Sequence, residues 1–124
     1  MKAYTRADFI KLPENTIYSR ITDHCRLIDG LYCKCSGDGW GNDWVEQDLI
    51  SEVGFPNDIT GGEDAYDYQE NLRDTFQEFR TDLDCAGRDG RYRDEDVFVV
   101  WDREDISKLH DYLGNVLKQQ NKKQ

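Results

Sequence analysis

The sequence predicts an α+β fold: a small antiparallel sheet with helices packed on one face, in a single domain over residues 1–124. Three observations carry that expectation. Alternation with period two runs through TIYSRIT, residues 16–22, and two apolar runs flank Asp29-Gly30, a dipeptide that marks short hairpins. Ala65, Tyr68, Leu72, Phe76, Phe79 and Leu83, spaced 3, 4, 4, 3 and 4, form the stripe of an amphipathic helix. A β-branched and aromatic run, DVFVVWD, then precedes a second amphipathic stretch.

Taken in order, Thr5 with Asp8 three positions on is a helix-capping signature, and Phe9 and Leu12 share a side, so a short helix should end before Pro13. PENT is a turn. Residues 17–21 and the runs around Asp29-Gly30 should give two or three antiparallel strands, with Asp29-Gly30 as the turn. WVEQDLI is expected as a further strand after the glycine-rich loop SGDGWGND. The central helix starts near Glu63 and ends at the glycines of AGRDG. DVFVVWD should be an interior strand, with Trp101 in the core. The last helix takes Asp102 as its cap and points Ile106, Leu109, Leu113, Val116 and Leu117 inward. Residues 119–124 are expected as a frayed tail.

The chain carries 16 basic and 26 acidic residues in 124, a formal charge of −10. That balance argues against direct contact with nucleic acid or an anionic membrane, and leaves a basic partner or a cation. No run of 18 apolar residues occurs, and the opening MKAYTRADFI lacks the pattern of a secretion signal, so a cytosolic location is expected. In that compartment Cys25, Cys33, Cys35 and Cys85 are expected as reduced thiols.

The charge is unevenly placed. Residues 1–42 hold 6 basic and 5 acidic groups, residues 43–84 hold 2 and 13, and residues 85–124 hold 8 and 8. On the central helix Glu63, Asp64, Asp67, Glu70, Asp74, Glu78 and Asp82 fan out opposite the apolar stripe, with Arg73 and Arg80 on its flank. Acids four apart repel, where a helix needing only solubility would alternate Glu and Lys. Such carboxylates lie about 6 Å apart along the axis, the scale of successive phosphates, so the ridge could occupy a basic groove meant for nucleic acid. A solvated face is the plainer explanation. Asp43, Glu46, Asp48, Glu52 and Asp58 could extend the ridge, and Trp40, set among glycines, either anchors a partner beside it or folds back over the sheet.

Other constellations are weaker. His24, Cys25, Cys33 and Cys35 match no zinc spacing, although Cys33 and Cys35 should share a strand face. His110 borders the inner stripe of the last helix, which suits a boundary residue better than the base of a cysteine nucleophile. DLDCAGRDGRYRDED lacks the order of a calcium loop, and no phosphate loop, dinucleotide fingerprint or nucleophile elbow appears. No enzyme activity, cofactor or metal is therefore expected.

YTRADFIKLPENTIY, GNDWVEQDL and RDGRYRDEDVFVVWDREDISKL together resemble a group of small phage and prophage accessory proteins of unknown function. Where that group's first turn reads P-x-G-T, Asn15 stands at the glycine; both residues tolerate positive φ. The resemblance brings no catalytic or binding residue. It implies a context in which small proteins bind and disable host proteins, many with basic nucleic-acid grooves.

Three readings compete. In the first, a non-enzymatic inhibitor, such as an anti-CRISPR or anti-restriction factor in the host bacterial cytosol, binds a basic nucleic-acid-handling host protein. It uses Asp67, Glu70, Asp74, Glu78 and Asp82, extended by Asp43, Asp48 and Trp40, as a monomer or homodimer. In the second, a nucleotide-ligand sponge or small enzyme uses a pocket near Trp40 and the arginines at 88, 91 and 93. In the third, a structural protein has acids that only keep it soluble.

Overall fold

The computed structural model describes residues 1–22, 26–36, 43–50, 67, 70, 73, 74, 87, 88 and 94–122. Among them six strands and two helices are delimited: β1 (Lys2–Tyr4), α1 (Arg6–Phe9), β2 (Ile17–Ile21), β3 (Asp29–Ser36), β4 (Val45–Asp48), β5 (Gly87–Arg88), β6 (Val97–Trp101) and α2 (Arg103–Lys122). The strands form one antiparallel sheet in the order β1-β6-β2-β3-β4-β5, so the late strand β6 is inserted between β1 and β2. This is the expected α+β class.

The register sorts side chains onto two faces, because neighbours across a ladder point the same way. Tyr4 and Arg20 pair with Phe98, Tyr18 pairs with Val100 and Tyr32, Tyr32 with Asp48, and Lys34 with Glu46. This face is covered by α1. The other face carries Ile17, Ser19, Ile21, Cys33, Gln47, Val97, Val99 and Trp101. Ser19 and Val99 are buried there and the rest half-buried, and the Trp101 indole donates to Ser19 Oγ at 3.1 Å.

Helix α1 is a single turn held at both ends. The Asp8 N–H donates to the Thr5 hydroxyl at 3.3 Å, as the capping signature anticipates. Its C-terminal carbonyls meet a buried ammonium, Lys34 Nζ, at 3.4 Å (Phe9), 2.9 Å (Ile10) and 2.7 Å (Leu12). A cation there satisfies acceptors that a helix end leaves open. Phe9 is the centre of the core, with ring centroids 4.5 Å from Tyr18, 4.6 Å from Phe98 and 4.9 Å from Trp44.

Several local expectations need correction. Asp29-Gly30 is no turn: both residues lie within β3, where Arg20 pairs with Asp29, the register shifts, and Gly30 sits at φ 74°. The positive φ that makes the dipeptide a turn signal serves a bulge here. Gly87 of AGRDG contributes to β5, a strand the sequence did not suggest, which pairs with β4; the expected helix end before it lies outside the described residues. The opening KAY, read as no element, is edge strand β1. Asn15 does adopt φ 67°, and its N–H donates to the Lys34 carbonyl at 2.7 Å.

Helix α2 departs furthest. Asp102 caps it as expected, through Asp105 N–H to Asp102 Oδ1 at 2.9 Å, and Asp105 returns the contact by accepting from Asp102 N–H at 3.1 Å. The Met1 amino group lies 2.8 Å from Asp105 Oδ2 and fixes the same end. Beyond it the stripe expected to face inward is exposed at Ile106, Leu113, Val116 and Leu117, and half-buried at Leu109. Of the sheet it was to cover, the helix meets chiefly β6, the strand that leads into it. The helix continues to Lys122, into the residues expected to fray.

Candidate functional surface

Of the acidic ridge, Asp67, Glu70 and Asp74 lie among the described residues, and all three are helical, as is Arg73. Asp67 and Asp74 are exposed. Glu70 is half-buried and lies 4.0 Å from Arg73 Nη1, one turn on, so this arginine reaches the ridge at i, i+3 spacing. Glu78, Asp82, Trp40, Glu52 and Asp58 lie outside the described residues, as do the whole apolar stripe expected of that helix and Arg91 and Arg93.

Asp43 and Asp48, expected on that surface, are inside the protein. Strand alternation decides it for Asp48: it shares a face with Tyr32 and Glu46, under α1, and its Oδ1 accepts from Ile50 N–H at 2.8 Å. Asp43, fully buried, lies 4.0 Å from Arg6 Nη2. Glu46 also turns inward. Its Oε2 accepts from Arg20 Nη2 at 2.6 Å and from the Tyr18 hydroxyl, which in turn accepts from Trp44 Nε1 at 2.9 Å.

The result is a core built on charge and aromatic rings, which the sequence reading missed. Arg20 is 2 % exposed and lies 5.1 Å from the Phe98 ring centre and 5.2 Å from that of Tyr32, with Asp96 Oδ2 3.9 Å from its Nη1. Arg6 lies over Trp44 at 4.6 Å, and Lys34 over Phe9 at 5.3 Å. Cations over ring faces are favoured when water is excluded. Burial pushes the Tyr18 phenol well above its ordinary pKa, the Glu46 charge adds to this and Arg20 opposes it, so Tyr18 stays a donor. A sequence signal existed in Tyr18, Arg20, Tyr32 and Lys34, aromatic and basic residues at alternate positions of two predicted strands.

Cys33 and Cys35 are free thiols on one face of β3, and burial, then the neighbouring Cys35, raises the Cys33 pKa. That favours the thiol over the reactive thiolate. His110 is exposed on α2, its Nδ1 3.2 Å from Asp111 Oδ1. His24, Cys25 and Cys85 lie outside the described residues. Among the described residues no group of three or more His, Cys, Asp or Glu could hold a metal, and no helix is long and apolar enough to cross a membrane. Compared with protein-family models, curated proteins and solved structures, the chain matches none of them.

Proposed function

We propose that the protein is a non-enzymatic acidic binding protein, a phage-encoded inhibitor or modulator of a host nucleic-acid-binding protein of the defence type. The contact surface is the acidic helix face at Asp67, Glu70 and Asp74, to which their spacing in the sequence assigns Glu78 and Asp82. One observation supports this most: the buried charges among the described residues are Arg6, Arg20 and Lys34 against Asp43, Asp48 and Asp96, three of each sign. They cancel, so the formal −10 falls on the rest of the chain. So large a single-sign excess steers toward basic partners and repels nucleic acid itself.

The experiment compares the wild type with Asp67→Lys/Glu70→Lys/Asp74→Lys as bait in a bacterial lysate at low and moderate salt, after circular dichroism has matched the two folds. A captured protein is then tested for loss of its own nucleic-acid binding when the bait is added. Recovery by the wild type alone, release by salt and competition with nucleic acid support the proposal. The same captured set with both baits, or no competition, refutes it.

A further inference from the structure

We propose that Cys33 and Cys35, side by side on β3, are the two ligands of a soft, two-coordinate cation, Cu(I). The proposal is independent of the acidic-face reading. Both side chains are free thiols and half-buried, so an ion can reach them from solvent. Cys35 Sγ lies 3.5 Å from the Cys33 carbonyl oxygen and Cys33 Sγ 3.9 Å from that of Lys34, and the Cys35 thiol is close enough to act on Cys33 directly. The strand is shaped at this point. Lys34 pairs with Glu46 and Ser36 with Val45, which makes Cys35 the extra residue of a bulge, a device that bends a strand and re-aims a side chain.

The surroundings select the ion. Across the ladders Cys33 pairs with Ile17 on β2 and Gln47 on β4, an alkyl chain and a neutral amide, and Gln47 Nε2 donates to the Asp48 carbonyl at 2.9 Å. The carboxylates on either side of Gln47, Glu46 and Asp48, are on the opposite face, under α1. A sulfur pair without carboxylates favours a soft ion over calcium or magnesium. Among the described residues no group of three or more His, Cys, Asp or Glu could hold a metal, whereas zinc closes a structural site with four ligands. Cu(I) is complete with two thiolates in line. Residues two apart on a strand stand roughly 6.6 Å apart, near the upper limit for a disulfide. Two metal–sulfur bonds of about 2.3 Å each hold the sulfurs about 4.6 Å apart, a better match to that spacing than a sulfur–sulfur bond of about 2 Å. Binding exchanges two thiol protons for one cation with no change of oxidation state, and the protons leave to solvent, so affinity falls as pH falls.

Titration of the reduced full chain, without oxygen, against the coloured Cu(I)–bicinchoninate complex tests this. Wild type should withdraw copper, and so should Cys25→Ser/Cys85→Ser, in which Cys33 and Cys35 are the only thiols left, at one ion per chain. Cys33→Ser or Cys35→Ser should weaken binding by about a hundredfold or more with unchanged circular dichroism, since one of two thiolate ligands is gone. Copper X-ray absorption on wild type loaded with one equivalent should show two sulfur neighbours and no others, a readout that needs no variant to fold. Failure to withdraw copper, its retention by a folded Cys33 or Cys35 variant, its loss from a folded Cys25→Ser/Cys85→Ser chain, or copper with three or more neighbours overturns the site. Zinc held as tightly as copper overturns the choice of ion.

Discussion

Arg20 and Glu46 meet at 2.6 Å although their strands are not neighbours: β3 runs between β2 and β4, and the two side chains reach across it above Tyr32. The pair ties three strands at one point, and Tyr18 shares the same carboxylate oxygen. Replacing Glu46 by Ala removes the carboxylate that both groups share, inside a covered face. The expected loss is about 3 kcal/mol or more, read as a fall in the urea midpoint. An unchanged midpoint would mean that the pair contributes nothing to stability.

Lys34→Met keeps the length of the side chain and removes its charge. The carbonyls of Phe9, Ile10 and Leu12 then lose their common donor, at a cost of about 2 to 4 kcal/mol. Amide exchange should accelerate first at Phe9, Ile10 and Leu12, the last turn of α1 and its exit. Acceleration spread evenly over the sheet would contradict a local role.

Two glycines should respond oppositely to alanine. At Gly30 the backbone sits at φ 74° and a Cβ would come within 2.6 Å of the Tyr32 ring, so Gly30→Ala should destabilise by more than about 1 kcal/mol. At Gly114 nothing lies within 4 Å of the added carbon and the residue is inside a helix, so Gly114→Ala should stabilise by about 1 kcal/mol. Thermal melts of both variants read the two signs directly.

The start of α2 should make stability depend on pH in two windows. Hydrogen bonds from the Met1 amino group and the Asp102 N–H lower the Asp105 pKa, so its contribution is present above the ordinary carboxylate range and lost as pH falls through the folded value. The Met1 amino group is raised above its ordinary 8.0, chiefly by its bond to Asp105. Its contribution is complete below pH 8 and lost as pH rises through the folded value. Asp105→Asn should flatten both arms, and added salt should weaken both, since these groups are at the surface. Parallel pH profiles for wild type and variant would show that this contact has no share in the dependence.

Local signals written in one or two residues were legible in the sequence. Thr5 with Asp8, Asp102 with its first turn, Asn15 in its turn and the interior strand ending at Trp101 all stand where the pattern places them. What the sequence does not carry is which face of each element finds cover. Alternation in β2 separates Tyr18 and Arg20 from Ile17 and Ile21, and hydropathy would bury the isoleucines. The structure buries Tyr18 and Arg20 and leaves the isoleucines half-covered, because α1 and Trp44 supply a roof of rings for the cation. The same gap explains Asp43 and Asp48, taken for surface acids by composition, and the stripe of α2, taken for core by periodicity.

The ring-and-cation core also sets how the protein responds to temperature. Unfolding releases three cations and three carboxylates along with the aromatic rings, and hydration of polar groups offsets the heat-capacity rise that apolar exposure brings. The heat capacity of unfolding should therefore fall below that of an aliphatic core of equal size, and the stability curve should be correspondingly flat. The cost of keeping those charges dry shrinks on warming, so this core loses less on heating than one of leucine and valine.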